Sequence, residues 1–354
     1  MRKLRKTILC TLAMTAAAAV TATGAGAQPS PERIRAAVRE RVEAAPAVLY
    51  QQGREEQTDR QTRTLKIGSD GELSLSNVAG DIVVSHGSGS DAVVEIVKNA
   101  RGRTVEEAKQ MLGLVDVTVT ERSGRAEVRT VYPRGDEMPR TSRRNLNVWV
   151  AYTVTAPAGT RLSVNSVSGT IRITDIKGDL SANSVSGAVR IANAGRIAGA
   201  KSVSGDVEIT DTRVDGSIEA QSISGNVLLR KVNARRLSAG SISGGVTVQD
   251  VQCERVEAHS ISGTVDYSGP LAKGGRYELT SHSGDIRIGV GSGTGFELEA
   301  NSFSGSVRSD LPLTNHSNDG NDRGRRRTVR GVFGDGSAVL SLTTFSGNIV
   351  VSKR

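Results

Sequence analysis

The sequence predicts an all-β protein: a single-stack, parallel β-helix-like β-solenoid with coils of about 18–21 residues and an N-terminal α+β cap. Three observations predict it. A short phrase, Ser-(Val/Ile)-Ser-Gly, first closes at Gly169 and returns at Gly187, Gly205, Gly225, Gly244 and Gly263, with variants closing at Gly284, Gly305 and Gly347. These glycines lie 18, 18, 20, 19, 19, 21, 21 and 42 residues apart, and the last gap reads as two periods. Apolar and polar residues alternate on both sides of each glycine, as in strands that bury one face.

The chain opens with the basic run Met1 to Lys6, an apolar run from Thr7 to Val20, and Ala25-Gly26-Ala27. That order is a secretory signal peptide over residues 1–27, with cleavage after Ala27. The apolar run falls short of the roughly 20 residues a membrane span needs, so no transmembrane segment is expected after cleavage. Its removal takes away four basic residues and no acidic ones, which lowers the formal charge from +9 to +5. So mild a charge on an exported chain gives no reason to expect nucleic acid. Cys253 is then the only cysteine, so no internal disulfide can form.

Residues 28–63 are polar and charged and read as a linker, a tether or loosely docked segment. Ile34, Val38 and Val42 repeat every four residues there and suggest one short helix. Residues 64–160 hold a first coil, Leu73 to Val84, and then depart from the repeat. Alternation predicts strands over Ala92–Val97, Val115–Val119, Ala126–Val131 and Val148–Val154. Between the first two, Thr104-Val105-Glu106-Glu107 is a capping box that opens a helix through Leu112. This is the α+β cap that an open solenoid end requires.

Residues 161–354 are the solenoid repeats. Counting from each glycine, positions +2 and +4 are nearly all Val, Ile or Leu, and −2 is Val, Ile, His or Phe. These are expected to form one strand with a buried face. Positions −7 and −5, the latter mostly alanine, form a second strand of opposite parity. The parity switch is placed at a corner around the Asn and Ser at −4 and −3, with the serines as corner and outward residues. A short third strand is expected before the coil closes. The alanine and glycine columns point inward and imply a thin core. An insertion over 311–336 interrupts the last two periods, and its Asn/Asp/Gly tract reads as an exposed loop.

Chemistry is sparse. The glycines precede no helix, so they are structural rather than a phosphate loop. The four histidines, His86, His259, His282 and His316, share no common column, and no metal site is expected. No serine stands in the G-x-S-x-G context of a nucleophile, and no cofactor motif occurs. Acidic residues follow the glycine in too few coils to make a calcium ladder. Aromatic residues are 3%, which argues against an aromatic sugar platform. The concentrated positive features are the +3 column, with Arg172, Arg190, Arg287 and Arg308, and the loop Arg325-Arg326-Arg327. The guanidinium fork suits carboxylate or sulfate groups, so these seven are the candidate contacts to an anionic ligand.

The early Val78-Ala79-Gly80-Asp81-Ile82 coil, the Ala156-Pro157-Ala158-Gly159 turn, the Ser-Val-Ser-Gly repeats and the closing Gly334 to Ile349 segment together resemble a known group. It is the bacterial putative-adhesin family of β-strand-repeat proteins, a domain of unknown function, and the resemblance runs from Thr64 to Ser352. It implies an exported, periplasmic or cell-surface protein, structural or adhesive, with no catalytic motif to carry over. The expected partners are a cell-envelope glycan or another surface protein. Two rival readings stand beside it: a polysaccharide lyase or hydrolase on a parallel β-helix, and an envelope-stress accessory protein. An enzyme would need convergent titratable groups in a cleft, and the sequence shows none.

Overall fold

The computed structural model describes residues 55–133, 146–291, 293–319 and 327–354. The signal peptide, the Ile34–Val42 stripe, Arg325 and Arg326 lie outside the described residues.

At the N-terminal end run β1 (Glu55–Leu65), β2 (Glu72–Ala79), β3 (Ile82–His86) and β4 (Ala92–Gly102). Then come helix α1 (Val105–Leu114), β5 (Asp116–Arg122), β6 (Arg125–Val131) and β7 (Val148–Ala156). The helix starts where the capping box predicts. Thr104 Oγ1 accepts the Glu107 N–H at 3.2 Å, and the Glu107 carboxylate accepts the Arg103 N–H at 2.7 Å. Ala108, Met111 and Leu112 are its buried face, and it packs on β4 and β1. Residues 55–63, which the sequence places in the polar linker, form most of β1, an antiparallel edge strand against β4. Its side chains are almost all exposed, so no apolar alternation announces it.

The regular coils follow as β8 (Arg161–Ser168), β9 (Ile171–Thr174), β10 (Asp179–Ser184), β11 (Val189–Ala192), β12 (Arg196–Ser202) and β13 (Val207–Arg213). They continue through β14 (Ser217–Ser222), β15 (Val227–Ser241), β16 (Val246–Gln249), β17 (Gln252–Ser260), β18 (Val265–Gly269), β19 (Arg276–Ser281) and β20 (Ile286–Val290). Two parallel ladders result. One stacks the strand before each glycine, for example Ala182 on Ala200 and Ala200 on Ala220. The other stacks the strand after it, for example Val189 on Val207 and Val207 on Val227. A short third ladder appears in the middle coils, where Arg213, Asn233 and Gln252 align. The alanine column and the apolar +2 and +4 residues are buried, which makes the thin core expected. A second corner lies six residues after the glycine. Asp175, Asn193, Asp211, Lys231 and Asp250 hold φ of 61°, 50°, 49°, 51° and 53° there, a region Asn and Asp tolerate best.

The chain ends with β21 (Phe296–Ser302), β22 (Val307–Ser309), β23 (Thr314–Asp319), β24 (Thr328–Phe333), β25 (Ala338–Thr344) and β26 (Ile349–Lys353). Spatial order here departs from chain order. β25 pairs with both β19 and β21, and β26 with both β20 and β22. The last coil therefore inserts between the two before it, and the 42-residue gap is a detour rather than two periods in line. The N-terminal end does the same: β2 lies between β6 and β8, and β3 between β7 and β9. At each end the outermost coil is held covalently on both sides of its neighbour. Antiparallel strands then cover edges that a bare solenoid would leave unpaired, β4 on β7, β5 on β6, and β24 on β21. The polar tract expected as loop instead starts as a strand, because β23 pairs antiparallel with β24.

A ridge and groove along one edge of the solenoid

The repeated phrase is built inside out relative to expectation. The strand before each glycine does not bend at the −4 and −3 positions; it continues through −3, so the serine there is buried. Ser184, Ser202, Ser222, Ser241, Ser260, Ser281 and Ser302 are all 5% exposed or less. Parity then carries the −2 residue outward, and the chain turns at the following serine and glycine.

Hydrogen bonding explains the serine. Ser222 Oγ accepts the Gly225 N–H of its own turn at 2.9 Å and donates to the Gly205 carbonyl of the coil before, also at 2.9 Å. Ser202 and Ser260 repeat both bonds, from Gly205 N–H and to Gly187 O, and from Gly263 N–H and to Gly244 O. Each hydroxyl thus satisfies two backbone groups that the turn would leave buried and unpaired. The glycine is required by close approach: a Cβ at Gly225 would lie 2.2 Å from the Gly205 carbonyl oxygen, and the same holds at Gly205 and Gly244. Ser166, whose preceding coil has Asn77 in the serine's place, is the exception, with a buried hydroxyl lacking a partner.

The outward −2 residues form a ridge. In spatial order it runs Val78, Val167, Val185, Val203, Ile223, Ile242, Ile261, His282, Phe345, Phe303. The nine apolar members are 37–65% exposed, and His282 is exposed as well. Backbone bonds hold consecutive rungs, as in Ser224 N–H to Val203 O at 2.8 Å and Ser346 N–H to His282 O at 2.8 Å. At one end the rings stack: His282 on Phe345 at 5.0 Å, and Phe345 on Phe303 at 4.7 Å. At a rise of about 4.8 Å per coil, ten rungs span roughly 43 Å. Single exposed apolar residues are ordinary; here they stand in one contiguous row.

A groove runs beside the ridge, between it and the −4 row. One stretch of about 870 Å³ extends from Ser76 and Arg129 to His259. A second, of about 660 Å³, begins at His259 and continues to Phe303 and Arg327. Its floor is the buried serines. Its titratable lining residues are Arg129, Lys201, His259, His282 and Arg327, without a carboxylate. Lys201 is neutralised by Glu219 at 2.9 Å. The His259 ring occupies the space a side chain at position 240 would need, which fits the glycine there.

The sequence-predicted arginines lie elsewhere, on the outward face of the second ladder. Arg172 and Arg190 are directly in register. Glu208, Leu228, Thr247 and Asp266 then occupy the column before Arg287, and Val350 separates Arg287 from Arg308. The column therefore makes two groups, with Arg190 and Arg287 roughly 24 Å apart, rather than one patch. Arg190 pairs with Glu208 at 3.3 Å, and Arg287 with Asp285 at 3.3 Å and Asp266 at 3.8 Å. Burial holds the Asp266 carboxyl above its ordinary range despite the opposing pull of Arg287. Arg172, Arg308 and Arg327 are exposed. Burial pushes the Cys253 thiol up to about 11, which favours the protonated form. Among the described residues, no three His, Cys, Asp or Glu side chains gather as metal ligands, and no helix is long and apolar enough to cross a membrane.

The ridge was missed because −2 falls in step with +2 and +4, and an even run of Val and Ile reads as one buried face. The clue was the parity clash with −7 and −5. It could be resolved by a break after the serine as well as before it.

The family model described as Toastrack DUF4097 matches residues 56–239, 212–288 and 241–352. Among curated proteins none matches. Solved structures with some likeness include a protein described as a putative adhesin from Bacteroides fragilis. It is 14% identical over 84% of this chain and 97% of that one, with a TM-score of 0.40. Another is described as a putative lipid binding protein from Parabacteroides distasonis, at 12% identity, 82% and 96% coverage and a TM-score of 0.39. At these TM-scores neither likeness bears on how the chain works.

Proposed function

We propose that this chain, which belongs to the Toastrack DUF4097 family, is a non-catalytic exported scaffold that binds through long rows of repeated side chains. The observation that carries the reading is the alignment of surface residues, coil upon coil, over the whole solenoid. A polymer or an extended partner surface meets aligned side chains coil after coil, in an unbroken row along the ridge and in two separate groups on the arginine face, and many weak contacts add through avidity. The groove is lined without a carboxylate, which favours binding over the acid–base chemistry of a lyase or hydrolase. Placement in the periplasm or at the cell surface rests on the signal-peptide pattern of residues 1–27.

On this reading the arginine face meets acidic envelope glycans, through Arg172, Arg190, Arg287 and Arg308, helped by Arg325, Arg326 and Arg327. Exposed contacts of this kind are individually weak and screened by salt. The test is retention of the signal-cleaved chain on immobilised polygalacturonate. The expected result is retention at low ionic strength, release by salt, and weaker retention once these seven arginines are changed to glutamine. A wild type that flows through at low salt removes the glycan reading. Release of shortened polymer during the same experiment overturns the non-catalytic one.

A further inference from the structure

We infer that the ridge is a self-pairing surface: two copies of this chain join along it antiparallel, about a two-fold axis, each ridge seated in the other's groove. The inference goes beyond the proposed scaffold role and does not depend on which ligand the arginine face takes.

Shape is the first support. Ridge and groove run side by side, made by the same repeat, so any second copy has a matching rise of about 4.8 Å per rung. A two-fold axis places each ridge in the opposite groove at once, as an isologous contact requires. The second support is the grading of side-chain size. Four valines occupy one end, three isoleucines the middle, and His282, Phe345 and Phe303 the other end. Reversed pairing sets Val78 against Phe303, Val167 against Phe345 and Ile223 against Ile242, so small meets large toward both ends and equal residues meet at the centre. Parallel pairing would crowd ring upon ring at one end and leave a gap at the other. A fluid acyl chain has no counterpart to such a gradient, which favours a second copy over lipid.

Extent and charge agree. Ten rungs and the ten residues of the flanking −4 row make about 20 residues a side, at the lower end of what a stable interface uses. The apolar row is bordered by exposed serines such as Ser204, Ser224 and Ser243 on one side and by the −4 row on the other, an apolar centre with a polar rim. The rim opposes no uncompensated like charge near the centre, since Lys201 is already paired with Glu219.

The test is the mass of the full signal-cleaved chain by sedimentation equilibrium, with the ridge altered at its centre. Wild type is expected as a dimer. Ile223→Asp and the milder Ile242→Ser leave the circular dichroism spectrum unchanged, and the aspartate weakens association about 30-fold or more. A mixture of V167C and F345C chains is expected to join through a short bismaleimide, whereas V167C alone is not. A monomeric wild type, or a dimer indifferent to both centre substitutions, overturns the proposal. So does efficient cross-linking of V167C to itself, which would mean parallel pairing. If the wild type is monomeric and sediments with phosphatidylglycerol vesicles until Ile223→Asp is introduced, the ridge belongs to lipid instead. Polygalacturonate retention, measured separately, is untouched by any of these results.

Discussion

Ser222 and Ile223 are neighbours in one strand-to-turn junction, yet the polar residue is buried and the apolar one is 45% exposed. The contrast recurs in coil after coil. It teaches that burial in a solenoid is decided by the backbone before it is decided by hydropathy. Each turn brings a glycine N–H and the neighbouring glycine carbonyl into the interior, and those groups need a short hydroxyl more than the core needs a methyl. Once serine holds the inner place, alternation sends the next side chain outward, whatever its chemistry. Valine and isoleucine at that outer place keep close to half of their surface exposed and so stabilise the chain less than a core residue would, which is why a role outside the chain is the natural account of them.

The largest effect that would sharpen this contrast belongs to the glycine. Gly225→Ala drives a Cβ to 2.2 Å from the Gly205 oxygen, so the coils must part. A loss of about 3 kcal/mol is expected in denaturant unfolding. A near-neutral result would show that the coils are not in contact at the turn. Next comes the thin core against the outer turn. Ala220→Leu adds bulk where both ladders converge and is expected to cost about 1–3 kcal/mol, while Ser204→Leu, at an exposed turn position, is expected to change stability by about 0.5 kcal/mol or less. Equal shifts in melting temperature would break the assignment of faces.

Much of this architecture was legible from residue spacing. The period, both main strands, the alanine column and the capped helix were each written as alternation or as a capping box. What was not legible has physical causes. The corner could be placed on either side of the serine, because small polar residues serve equally as turn formers and as buried hydrogen-bond partners. The insertion of β25 between β19 and β21 leaves no mark on a linear period, since parallel pairing needs only matching side chains at Leu279, Leu342 and Ala300. β1 escaped because its side chains are almost all exposed and no buried face patterns it, and β23 because its Asn, Asp and Ser residues read as loop. The arginine column was visible as a column. Its division into two groups and its ion pairs with Glu208, Asp266 and Asp285 required the stacking order and the side-chain geometry.

The most direct test of the inverted phrase compares two single substitutions, Ser222→Val and Ile223→Ser, in an Ile242→Asp background so that both chains unfold as monomers. Hydropathy alone favours the first and penalises the second. The structure predicts the opposite. Ser222→Val strips the Gly225 N–H and the Gly205 carbonyl of their partner, for a loss of about 2–4 kcal/mol in denaturant unfolding. Ile223→Ser is expected to stay within about 0.5 kcal/mol. If Ile223→Ser proves the more damaging of the two, the ridge is core and the inverted phrase is wrong.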